Sequence, residues 1–127
     1  MGGKARIHTF GFDDAERARI DARFESLGIP PVVVMRRTQG SVRLQQILEQ
    51  DAEGEGRLEV DERVVLFHNI SDAGVVRLMQ LFREIDVPRP IFATVTESNL
   101  TFTLAELLEH LVEERAQMQG RGFRGDG

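Results

Sequence analysis

The two halves of this chain can be written over one another. With Asp14-Ala15 placed over Asp72-Ala73, an offset of 58 positions, Arg19 falls on Arg77, Phe24 on Phe82, Pro30 on Pro88 and Thr38 on Thr96. A two-residue insertion then moves the offset to 60, and Leu44, Leu48 and Glu49 meet Leu104, Leu108 and Glu109. The apolar pattern agrees as well, with LGIPPVVVM lying over IDVPRPIFA. An ordered series of matches across most of both halves reads as a tandem duplication. The fold question thereby reduces to what one copy forms and how two copies join.

Each copy reads strand, helix, strand, helix. In the first, ARIHTF has strand length, and Asp13 caps a helix whose Glu16 stands at the capping-box position. PVVVM is the second strand, followed by a short helix from about Ser41 to Gln50. In the second copy, RVVLFHNI is a strand, Ser71 caps a helix running to about Ile85, PIFATV is a strand and Thr103 opens the last helix. The predicted organisation is one α/β domain over residues 1–119, with repeat one at 5–50, a linker at 51–62 and repeat two at 63–118. The linker, DAEGEGRLEVDE, carries six acids against one Arg and reads as solvated, with Leu58 and Val60 able to touch the body. The Gly-rich end, residues 120–127, reads as a disordered tail.

Right-handed strand–helix–strand crossovers make parallel pairs. A four-stranded, mostly parallel sheet in the order 2-1-3-4, flanked by helices on both faces, suits the duplication. An all-parallel sheet is the favoured version. The rival is a mixed sheet with antiparallel halves, which a twelve-residue linker permits. Arg6, His8 and Thr9 are polar for a central strand, which is usually apolar throughout.

Composition narrows the function classes. With no Cys in 127 residues, disulfides, thiolate metal sites and thiol nucleophiles are excluded. A net charge of −5 argues against non-specific nucleic-acid binding, which depends on neutralising phosphates. No run approaches the roughly 18 apolar residues of a membrane span, and the N-terminus has no signal-peptide core, so the default expectation is a cytoplasmic protein. Asp13-Asp14 would suit a phospho-receiver pocket, but that chemistry needs an aspartate after the third strand and a late lysine. His68 stands at the first position, and the single Lys is Lys4. Gly11 stands alone where a phosphate loop needs several glycines. The reading therefore assigns no catalytic residue, no metal site and no cofactor.

The segment VVLFHNISDAGVVRLMQLFREIDVPRPIFATVTESNLTFTLAELLEHLVEE resembles a bacterial family of domains of unknown function, of the DUF3783 type. Thr96, Ser98, Asn99, Phe102 and Thr103 stand at the positions of that family's Thr-x-Thr-Asn-x-x-Trp-Thr segment, with Ser for the second Thr and Phe for Trp. The resemblance covers roughly residues 63–118, with the first half as a diverged copy, and implies no activity.

Two groups of residues remain as functional candidates. If strands one and three were parallel, their C-terminal ends would share a crevice of the kind that holds ligands in open α/β sheets. Asp13 would line it from the first loop, His68, Asn69 and Asp72 from the second, and Thr96, Glu97 and Ser98 from one side. Most of these have structural readings too: Asp13 and Ser71 are helix caps, Thr103 with Glu106 is a capping box, Phe102 can staple onto Leu107, and Asn99 suits a left-handed turn. The second group is Val76 and Leu81, which widen the apolar stripe of the third helix beyond one sheet face; deeper burial inside the domain is one explanation, and a self-association or partner surface is the sharper one. The leading expectation is a non-catalytic binding or assembly module, a homodimer or the partner of another protein. The alternative is a small-molecule-binding regulatory domain or minor enzyme that uses the polar loops.

Overall fold

The computed structural model describes residues 4–124, with side chains through residue 117. Its elements run strand, helix, strand, helix twice: β1 (Arg6–Phe10), α1 (Asp14–Ser26), β2 (Val33–Val34), a 3-10 turn (Arg37–Gln39) and α2 (Leu44–Gln50), then β3 (Val64–His68), α3 (Asp72–Glu84), β4 (Ile91–Thr94), a second 3-10 turn (Asn99–Thr101) and α4 (Leu104–Arg124). The backbone packs into two compact units. One joins the residues up to Arg36 with Asp61–Val95, and the other joins Arg37–Val60 with the residues from Thr96 onward. Each unit thus draws a piece from each half of the sequence.

The first unit holds the sheet, in the order β2-β1-β3-β4. β1 with β2 and β3 with β4 are parallel, as right-handed crossovers require, but β1 and β3 are antiparallel. The favoured all-parallel arrangement is corrected by that central pair. The antiparallel ladder relates the two β-α-β units by a local twofold axis normal to the sheet, and such an axis reverses the strand direction. It also leaves α1 and α3 on one face, where Ile20 and Phe24 from α1 meet Leu81, Phe82 and Ile85 from the end of α3 over Ile7, Val65 and Phe67 of the strands. His8 pairs with Leu66, 58 positions away, so the repeat offset coincides with the register at the middle of the β1–β3 ladder.

Local chemistry fixes each end. Asp13 accepts from the Glu16 N–H at 2.8 Å and the Glu16 carboxylate accepts from the Asp13 N–H at 3.0 Å, so the expected capping box forms. Ser71 Oγ caps α3 through the Gly74 N–H. Gly11 turns the chain at φ +91°, and a Cβ there would lie 2.3 Å from the Glu62 carbonyl oxygen, so no other residue fits this crossing.

In the second unit, Arg43 and Thr103 form an antiparallel bridge, flanked by Leu44 N–H to Phe102 O and Leu104 N–H to Val42 O at 2.8 and 2.9 Å. The bridged pair, Arg43 and Thr103, is 60 positions apart, the second offset between the two halves of the sequence. The acidic connection between the halves is tied down rather than loose. Arg37 donates to the carbonyls of Leu58 and Val60, Gln39 to Asp51 and Ala52, and Leu58 packs on Gly40. α4 runs through Arg124, so the start of the segment expected as a disordered tail is helical, and residues 125–127 lie outside the described residues.

Candidate functional site

The antiparallel centre of the sheet decides the fate of the expected crevice. Arg6, the first residue of β1, lies opposite His68, the last of β3. The turn after β1 and the turn after β3 therefore leave from opposite edges of the sheet, and the crevice that parallel strands would have shared does not form. Asp13 stands at one edge as the α1 cap. His68, Asn69 and Asp72 stand at the other.

There the residues serve mainly the chain itself. Asn69 adopts the left-handed conformation at φ 60° and donates from Nδ2 to the Lys4 carbonyl. Asp72, exposed in the first turn of α3, places a negative charge where the helix dipole favours one. His68 is half-buried, and its ring lies 6.1 Å from that of His8. Burial first, and the charge of Arg6 second, hold its imidazole below the ordinary histidine value. Among the described residues no group of three or more His, Asp or Glu side chains could hold a metal ion.

The Thr-Glu-Ser-Asn cluster belongs to the second unit and is built of caps. The Thr96 N–H donates to Asn99 Oδ1 at 2.8 Å, and the Asn99 N–H donates to Thr96 Oγ1 at 3.2 Å. Asn99 is not left-handed, as expected for a turn, because it opens a 3-10 turn instead. Four residues beyond Asn99, Thr103 and Glu106 exchange the same pair of bonds at the start of α4. Phe102 stacks on His110 with centroids 5.0 Å apart, a contact the leucine stripe of α4 did not suggest. Glu97 and Ser98 are exposed, and the Ser98 carbonyl accepts from Thr101.

The third-helix candidates separate. Leu81 is only 9% exposed and belongs to the core, because the end of α3 is pressed between α1 and the sheet. Val76 is 54% exposed. On the same helix, a shallow groove lined by Leu27, Ile29, Leu78 and Leu81 is rimmed by Arg23, Arg77, Gln80 and Glu84.

A second groove in the same unit was not foreseen. It lies between the last turn of α3 and the edge strand β4, holds about 350 Å³, and is lined by Phe82, Arg83, Val87, Arg89, Pro90 and Phe92. Phe92 stacks on Phe67 and meets Phe82 edge to face. The one sequence signal for it is Arg89 between Pro88 and Pro90, where the first copy has Pro31.

Residues 63–118 match the family model described as a domain of unknown function (DUF3783). No curated protein and no solved structure matches the chain. Among the described residues no helix is long and apolar enough to cross a membrane.

Proposed function

We propose that the chain is a non-catalytic assembly module, built by tandem duplication of a β-α-β-α unit, that associates with a second copy through the outward side of α3. The observation that carries this reading is the exposure of Val76. With Leu27, 50% exposed, it is one of two large hydrophobic side chains left in solvent among the described residues. Single exposed apolar residues are ordinary, but here Leu27 lines an apolar groove and Val76 lies one helical turn from Gln80 on its rim. That rim carries Arg23, Arg77 and Glu84, both signs of charge around an apolar floor. Such a surface suits an isologous contact, in which each charge meets its opposite in the twofold-related copy.

Size-exclusion chromatography with light scattering on the full chain and on Val76→Asp tests the reading. A dimeric parent and a folded monomeric variant support it. A parent that stays monomeric at high concentration removes self-association. Val76 is the informative position because its side chain makes little of the core, whereas a charge at Leu81 would unfold the unit before reporting on association.

A further inference from the structure

The groove between α3 and β4 has a chemistry that assembly does not use. Its floor is apolar and aromatic, from Phe82, Phe92, Val87 and Pro90, and its polar side chains are two arginines. Among the described residues no carboxylate lines it, although the chain carries a net charge of −5. The adjoining acidic segment faces elsewhere: Glu84 takes Arg23 at 2.9 Å, and Glu84 and Asp86 line a separate depression with Arg19 and Arg23. Arg83 sits in the last turn of α3, where a cation complements the helix dipole. Arg89 has no such duty; it is exposed, between two prolines that fix the backbone around it.

We propose that this groove binds a small organic carboxylate, its apolar body lying on Val87 and Phe92 and its charge held by Arg83 and Arg89. Guanidinium groups match a carboxylate through paired N–H donors, and a groove of about 350 Å³ is at the lower end of ligand pockets, which span about 300–1,000 Å³. A phosphate fits less well. Phosphate sites use the N–H groups of a helix N-terminus, whereas this groove lies at the carbonyl end of α3, whose partial negative charge opposes a dianion.

The test is an NMR titration of the ¹⁵N-labelled full chain with 3-phenylpropionate, with 3-phenylpropanamide, 3-phenylpropylamine and inorganic phosphate as comparison probes. The carboxylate is expected to shift the amides of Arg83, Val87, Arg89 and Phe92 saturably, with a dissociation constant in the millimolar range that suits a probe of this size. The neutral amide and the amine should bind at least tenfold more weakly. Arg83→Gln with Arg89→Gln, or Arg89→Gln alone, should lose most of the carboxylate's affinity, while Arg77→Gln on the same helix should leave it unchanged. Non-saturating shifts, equal binding of the amine, tighter binding of phosphate, or full affinity in the double variant would each overturn the proposal.

Discussion

Phe24 and Phe82 meet edge to face, their ring centroids 5.7 Å apart and their planes at 73°. They are 58 positions apart, as are His8 and Leu66 at the middle of the β1–β3 ladder. In the first unit, residues 58 positions apart are therefore each other's neighbours, once in the sheet and once in the helical layer. Both rings lie in the core between the two helices and the sheet, at 0% and 2% exposure.

Removing either ring should consequently cost about the same. Phe24→Ala and Phe82→Ala are each expected to destabilise the chain by about 3–5 kcal/mol in urea denaturation. A double-mutant cycle through leucine at both positions should return a coupling of about 0.5–1.5 kcal/mol for the edge-to-face pair itself. A coupling near zero would mean that the two rings act only as separate core volume.

The Glu16 carboxylate joins α1 to the start of β3. Arg63 donates to it through Nε and a terminal nitrogen, both at 2.9 Å, while it also accepts from the Asp13 N–H. The bond to Arg63 lowers the pKa of Glu16, and burial works against it. Because the folded value is depressed, the stabilisation is complete above the ordinary carboxylate pKa of about 4.3 and is lost as pH falls through the folded value. Arg63→Ala should cost about 1.5–3 kcal/mol at pH 7, the range for charged hydrogen bonds, since the Arg63 side chain keeps 28% exposure. Glu16→Gln should flatten the stability profile below pH 4.5 relative to the parent, which equilibrium unfolding across pH 3–7 measures.

Much of this architecture was legible in the residues. The strand–helix–strand–helix order, the strand order 2-1-3-4 and the caps at Asp13, Ser71 and Thr103 all follow from periodicity and side-chain chemistry. The direction of β1 against β3 was not, because apolar alternation is the same whichever way a strand is read. That single ambiguity carried the error in the candidate site, since a shared crevice for Asp13 and His68 required parallel strands. Leu81 was left open between core and surface for a related reason: a widened apolar stripe looks alike whether a helix faces solvent or is covered by a second helix. The groove beside β4 was hidden because Phe82, Arg89 and Phe92 come together only through the fold.

Gly40 carries no positive φ, yet it too is constrained. A Cβ there would lie 2.7 Å from Leu58 Cγ, the residue through which the acidic connection settles on the second unit. Leu58 is further held by its N–H bond to the Arg37 carbonyl, so it has limited room to retreat. Gly40→Ala is expected to destabilise by about 1–3 kcal/mol, the cost of overpacking. Hydrogen exchange should localise the effect, with protection lost first at Leu58. Unchanged protection there would place the strain elsewhere.

Thr9 gives the opposite sign. It lies in β1, one of the two central strands, is 1% exposed, and its Oγ1 has no hydrogen-bond partner among the described residues. A buried hydroxyl without a partner has lost its water and gained nothing in return. Valine has the same shape, is β-branched like threonine and suits a strand between two neighbours. Thr9→Val should therefore stabilise the chain by about 1 kcal/mol, with no change in the denaturant dependence of unfolding. Thr9→Ser keeps the hydroxyl and removes a methyl, so it should destabilise by about 1 kcal/mol. If valine destabilises instead, the hydroxyl has a partner in solution, such as an ordered water, and the variant will have lost it.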